Sequence, residues 1–271
     1  MAFALPLVLL SAALFAADPK TLAPEPFNLP LWDAGKVPLA SGDGPLDAPF
    51  LTAFLPPPNK RNGTAVIIAP GGSNIMLMYG AEGIEVAERF NDWGACAFVL
   101  TYRLSPKYDD QARILDGNRA VQLLRARAKE WGIDPAKIGL AGFSAGSALV
   151  RHAIANAQPG NPSSPDPIER VSSKPDYGVM IYSAGRKMPN ENLKDFPPMF
   201  LLAAQWDRGA AAGTVSLYQE MTKAGTVAEL HIYQKGRHGF GAAFGSPEFH
   251  PWMDLLRHFL IQDKFLPEVR R

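Results

Sequence analysis

The stretch Ile138-Gly139-Leu140-Ala141-Gly142-Phe143-Ser144-Ala145-Gly146-Ser147-Ala148-Leu149-Val150-Arg151 decides the fold class of this chain. Residues 138–141 are an apolar run of strand type, and residues 145–155 have the character of a helix. Between them stands Ser144, flanked by Gly142 and Gly146 in the pattern Gly-x-Ser-x-Gly. Glycines so placed let a strand pass into a helix through a bend too tight for larger side chains. The bend lifts the serine hydroxyl above the C-terminal edge of a sheet and opens the Ala145 N–H toward the same point. The competing role for Ser144 is an ordinary helix cap.

Working outward, short apolar runs alternate with longer amphipathic ones. Strands are predicted at residues 65–68, 96–100, 138–141, 178–183, 199–204 and 228–234, and helices at residues 81–93, 111–131, 145–155, 215–224 and 252–265. This alternation predicts an α/β domain, a mostly parallel sheet with helical crossovers, from about residue 63 to the end. Before it, residues 18–62 are rich in proline, hold a short β-like run at residues 50–55 and read as a wrapping segment with an edge strand or two. Residues 158–175 are a Pro/Ser/Asp-rich loop, and the interval between the strands at 178–183 and 199–204 is too short for a helical lid domain.

Residues 3–17 carry no charge and are apolar but for Ser11, a run shorter than a membrane span and of the kind that leads a secreted or periplasmic protein. Residues 1–17 are therefore expected to be a signal peptide, with an uncleaved N-terminal anchor or a cytoplasmic leader as the alternatives. A formal net charge of +1, with 47% hydrophobic and 20% charged residues, describes a folded chain and offers no basic excess to attract nucleic acid. The single cysteine, Cys96, lies in the apolar run 95–100 and reads as a small buried hydrophobe. No His/Cys/Asp cluster has metal-ligand spacing, so no metal or other cofactor is expected.

A serine at its ordinary pKa is a poor nucleophile and needs a histidine base oriented by a carboxylate, here in the chain order Ser, acid, His. Of the five histidines, His152, His231 and His258 fall inside predicted helices or strands and read as surface or packing residues. His238, in the glycine-studded Lys235-Gly236-Arg237-His238-Gly239-Phe240-Gly241 just past a strand, is favoured over His250, which precedes Pro251. Asp207 follows the strand before that one, with Gln205 and Trp206 beside it, and is the expected acid; a turn or cap aspartate is the alternative. After the strand at 65–68 comes Ala69-Pro70-Gly71-Gly72-Ser73-Asn74, where a Gly-rich turn would donate the Gly72 or Ser73 N–H, beside that of Ala145, to an oxyanion. Asn74, Gln205 and Trp206 adjoin the expected site and are candidates for substrate contact.

Several ordered motifs together carry a resemblance: Pro70-Gly71-Gly72, Glu82-Gly83 leading Val86-Ala87, Tyr102-Arg103-Leu104, Asp116 with Arg119-Ala120, Trp131-Gly132-Ile133-Asp134-Pro135, the Ser144 motif, and His238-Gly239-Phe240-Gly241. From about Leu31 onward the chain resembles single-domain α/β-hydrolase esterases of the acetyl-xylan esterase-like kind, close to the feruloyl-esterase-like branch. The resemblance implies the α/β-hydrolase fold and a carboxylesterase acting on short acyl groups or carbohydrate esters, with Ser144, Asp207 and His238 in the triad roles. Ser73 stands where these esterases usually have a third glycine, and Ser147 where a glycine often follows the serine motif. A serine peptidase of the dipeptidyl type and a catalytically silent binding protein are the other classes such a domain serves.

Overall fold

The computed structural model describes residues 22–189, 191–243 and 251–268. The leader expected at residues 1–17 and the alternative base His250 lie outside the described residues. Eight strands form one sheet in the order β1-β2-β4-β3-β5-β6-β7-β8. They are β1 Phe27–Pro30, β2 Phe50–Phe54, β3 Ala65–Ala69, β4 Cys96–Thr101, β5 Ile138–Phe143, β6 Tyr177–Ile181, β7 Met199–Ala204 and β8 Ala228–Tyr233. The pairings β1 to β2 and β2 to β4 are antiparallel, and all those from β4 across to β8 are parallel.

The helices are α1 Glu85–Asp92, α2 Asp110–Ala126, α3 Ala145–Ala155, α4 Arg208–Ala224 and α5 Pro251–Gln262. Side chains alternate across a strand, so β3 sends Ala65, Ile67 and Ala69 into a core shared with Leu124, Leu149 and Leu217 of α2, α3 and α4. On the opposite face, Val66 and Ile68 pack with Val86 and Phe90 of α1 and Leu256 and Phe259 of α5. A parallel sheet covered on both faces needs strands apolar throughout, and all of β3, β5, β6 and β7 are buried. Each large apolar side chain so buried contributes about 1.5–3 kcal/mol. This is the α/β-hydrolase arrangement.

Some predicted boundaries shift. The helix expected at 215–224 begins at Arg208, because glycines at 209 and 213 disguise an alanine-rich first half. The helix expected at 111–131 ends its α-helical part at Ala126 and closes with a 3-10 turn, Ala128–Trp131, stopped by Gly132 at φ +68°. The one expected at 81–93 opens with a π-helical turn, Gly80–Ile84, before α1. The strand expected at 178–183 ends at Ile181, since Tyr182 takes φ +42° and turns the chain out of the sheet. The closing helix, expected at 252–265, ends at Gln262.

The wrapping segment is tied down by charge. Arg103 and Asp116 have fully buried side chains paired at 2.7 Å, and the same guanidinium donates to the Pro38 carbonyl at 2.5 Å. Asp47 accepts from Lys107 at 2.6 Å and from the Tyr108 hydroxyl. These contacts hold residues 38–47 against the loop between β4 and α2. No helix among the described residues is long and apolar enough to cross a membrane.

The chain reaches β4 on one side of β3 and then β5 on the other. Loops leaving the C-terminal ends of β3 and β5 therefore diverge, and such a switch point opens a crevice at the sheet edge.

Candidate active site

Ser144 occupies φ +51°, a conformation costly for a non-glycine residue, at the turn from β5 into α3. The flanking glycines explain how that turn closes. A Cβ on Gly142 would sit 2.3 Å from the Gly146 carbonyl oxygen, and one on Gly146 would sit 1.9 Å from that of Ala69. Ser147 locks the turn from below: its buried hydroxyl donates to the Gly142 carbonyl at 2.6 Å and accepts the Ile181 N–H at 3.0 Å. A glycine there would leave these strand-end groups without that partner.

Both cap readings of the sequence give way to geometry. Ser144 and Asp207 stand at the N-caps of α3 and α4, yet neither side chain accepts a capping hydrogen bond. By contrast, Asp109 at the start of α2 takes the N–H groups of Gln111 and Ala112. Ser144 Oγ instead lies 2.6 Å from Nε2 of His238, whose Nδ1 lies 2.5 Å from Oδ2 of Asp207. Three loops, after β5, β7 and β8, thus bring these side chains together at one sheet edge. The His238 side chain is 51% exposed and that of Asp207 16%, so the imidazole is open to solvent while the carboxyl is largely shielded.

The turn after β3 lies against the same serine. A Cβ on Gly71 would come 2.9 Å from Ser144 Cβ and 2.7 Å from the Phe143 carbonyl oxygen. Gly72, Ser73 and Asn74 all have positive φ, 128°, 56° and 61°. The Gly72 carbonyl accepts the N–H groups of Ile75 and Met76, curling the loop, while the Asn74 carbonyl accepts that of Ser105 at 2.7 Å. Asn74 Oδ1 is buried without a partner among the described residues. Ile75, Met76 and Met78 of this loop are exposed apolar residues, as is Trp206 beside Asp207. A concavity of about 510 Å³ outside Asp207 is lined by Gln205, Trp206, Arg208 and Gln234.

The other histidines stand apart. His152 is buried in α3 with Nε2 2.8 Å from the Arg186 carbonyl oxygen, His231 pairs with Glu229, and His258 is exposed on α5. The β6 to β7 crossover has only the 3-10 turn Leu193–Asp195 among its described residues, and α3 pins it from beneath. Arg151 makes a two-pronged pair with Glu191 at 2.7 and 2.8 Å and donates to the Ala184 carbonyl at 2.8 Å.

Two residues near the serine were not legible as site residues. Glu82 and Tyr182 are buried and bond to each other at 2.5 Å. Glu82 belongs to a sequence motif without a visible role, and Tyr182 looks like one more apolar strand residue.

Comparisons with known proteins agree with this architecture. The BD-FAE family model matches residues 51–159. An acetylxylan esterase from Xylanibacter ruminicola is 28% identical over 223 residues, 70% of this chain; the chain spans 43% of that relative's length. Among solved structures, an acetyl ester-xyloside bifunctional hydrolase from Caldicellulosiruptor lactoaceticus is 28% identical with a TM-score of 0.81, covering 93% of this chain and 99% of its own. A carboxylesterase described as putative from Lactobacillus plantarum is 27% identical with a TM-score of 0.64, covering 79% of this chain and 93% of its own.

Proposed function

We propose that this chain, an α/β hydrolase on the esterase branch that includes acetylxylan esterases, is a serine carboxylesterase removing short acyl groups, acetyl or feruloyl, from carbohydrate. One observation carries the proposal: Ser144 and Asp207 forgo the helix caps they occupy and converge on the two nitrogens of His238, at 2.6 and 2.5 Å.

His238 Nε2 takes the Ser144 proton as Oγ adds to the ester carbonyl carbon, and Asp207 holds the Nδ1–H tautomer and steadies the imidazolium. The carbonyl oxygen gains the negative charge and is received by the N–H groups of Ala145 and of Gly72 or Ser73. Support for that role comes from Ala145 being the first residue of α3, whose N–H has no acceptor within the helix. Collapse of the tetrahedral adduct breaks the ester C–O bond, and the imidazolium returns its proton to the departing alcohol. Water then enters by the same route, releasing the carboxylic acid and restoring the serine.

The open setting of His238 and the short β6 to β7 crossover favour a small acyl group on a bulky, accessible alcohol. Asn74, Gln205 and Trp206 are our candidates for contact with that alcohol: two amides and an indole suit hydroxyls and the face of a sugar ring, and Gln205 and Trp206 line one concavity. The names of the relatives, acetylxylan esterase and acetyl ester-xyloside hydrolase, support a xylan-type alcohol.

The test is a panel of acetylated xylan, methyl ferulate and p-nitrophenyl esters of rising chain length. Turnover falling from acetate to longer chains, with release of acetate from xylan, is the expected result. Turnover that rises steadily toward long acyl chains, or the absence of ester cleavage, overturns it.

A further inference from the structure

We infer that Glu82 and Tyr182 form a positioning clamp that holds the oxyanion loop and the His238 loop in register across the nucleophile. The inference rests on the esterase reading above and assigns roles to two residues outside the triad.

Glu82 lies in the π-helical turn Gly80–Ile84, a distortion that recurs at functional sites. Glu82 is 2% exposed, and no Lys, Arg or His among the described residues pairs with its carboxylate. A buried carboxylate without a cation must be satisfied by hydrogen bonds. One oxygen accepts the Gly71 N–H at 2.6 Å; the other accepts the Tyr182 hydroxyl at 2.5 Å. The Tyr182 oxygen in turn accepts the Gly241 N–H at 3.2 Å. One chain of hydrogen bonds therefore runs from the turn after β3, through Glu82 and Tyr182, to the loop that carries His238.

Packing reinforces this path. The Tyr182 ring lies 5.0 Å from the His238 ring and 4.7 Å from that of Phe240, edge-on to the latter. The Ala81 carbonyl accepts the Ala242 N–H at 3.0 Å, and a Cβ on Gly241 would come 2.6 Å from the same oxygen. From the other side, the Tyr102 hydroxyl holds the Pro70 carbonyl at 2.7 Å. The strained φ of Tyr182, +42°, is what directs its hydroxyl under both loops instead of into the sheet.

Two consequences follow for the reaction. Because Glu82 occupies the Gly71 N–H, the developing oxyanion is left to the amides that follow it. Because the same carboxylate also holds Tyr182, the distance between those amides and the base is set by one rigid link. Displacement of a reacting group by about 1 Å costs on the order of 10²-fold in rate.

The experiment compares the full-length wild type with Tyr182→Phe, Glu82→Gln and the double variant. Phenylalanine keeps the ring stacking and removes only the hydroxyl; glutamine keeps the shape and removes the charge. Active sites are counted by stoichiometric fluorophosphonate labelling of Ser144, and p-nitrophenyl acetate turnover is expressed per labelled site. The expected result is kcat per site reduced about 10- to 100-fold in each single variant with KM within about twofold. The double variant should lose no more than the worse single one, the mark of residues acting as a unit. Affinity for a trifluoromethyl ketone, which forms an oxyanion on binding, should fall in parallel with kcat/KM. If kcat per labelled site stays within about twofold of wild type in Tyr182→Phe, the pair is merely structural and the inference is overturned. A wild type that takes up no fluorophosphonate removes the esterase reading, and the clamp with it.

Discussion

Gly146 packs beneath Ala69 so closely that a methyl group on it would lie 1.9 Å from the Ala69 carbonyl oxygen. The clash would be with backbone, so no side chain can swing aside. Gly146→Ala is therefore expected to lower stability by about 3 kcal/mol or more, the upper range for forced overpacking. For a domain of this size that is a fall in Tm of roughly 6–12 °C. Gly209, in the first turn of α4, where an added Cβ would meet nothing within 4 Å, is the opposite case. Gly209→Ala should raise Tm by about 2 °C through helix propensity and a less free unfolded chain. Thermal melts of the two variants check both signs.

Substitutions in the reacting group of side chains should separate by role. Ser144→Ala or His238→Ala should cost on the order of 10⁶ in kcat, and Asp207→Asn about 10⁴, since the imidazole then loses its enforced tautomer. Melting temperatures should stay near wild type, because Ser144 and Asp207 cap no helix. Near-full p-nitrophenyl acetate turnover by Ser144→Ala would remove the assignment.

Acid should loosen the wrapping segment through Asp47. The Lys107 ammonium, and then the Tyr108 hydroxyl, hold this carboxyl below its usual range. A lowered folded-state pKa contributes stability that is complete above the unfolded value, about 3.9, and is lost as the pH falls through the folded one. The Tm difference between wild type and Asp47→Asn should hence be constant near neutrality and shrink below about pH 4. Added salt should reduce it as well, since Lys107 is half-exposed. A gap that widens in acid would reverse the sign assigned here.

Cys96 should be inert. Burial pushes its thiol up to about 11, and its sulfur donates to the Trp131 carbonyl at 3.8 Å. Attack requires the thiolate, so a thiol reagent at pH 8 should label the native protein far more slowly than the denatured chain. Labelling at equal rates would show the interior of β4 to be accessible.

Much of this architecture was written locally. The alternation that predicts strands at 65–68, 138–141 and 199–204 reports which residues meet two helical layers, and those strands form where expected. The run 145–155 matches α3 to the residue. The start of α4 was hidden because glycines at 209 and 213 break apolar periodicity without breaking a helix that alanines sustain. Ser144 and Asp207 were each readable as a cap or as a reacting group, since both roles put a short polar residue ahead of a helix. The absent cap hydrogen bonds and the position of the His238 ring favour the second role.

The Glu82 to Tyr182 contact spans 100 residues of chain. No periodicity encodes it, and the π-helical turn that aims Glu82 inward has no composition of its own. Ser147 illustrates the converse: it stands out as a departure from the usual glycine, and its hydroxyl proves to stitch β5 to β6.

The crossover from β6 to β7 is gripped at its start and middle by α3, where Arg151 seizes Glu191 and the Ala184 carbonyl, and His152 meets the Arg186 carbonyl. The helix that begins at the serine is thus also the foundation of the wall beside it. Polypeptide grafted between those anchors would roof the crevice without moving the atoms beneath, which makes this short span the natural place to redesign who enters.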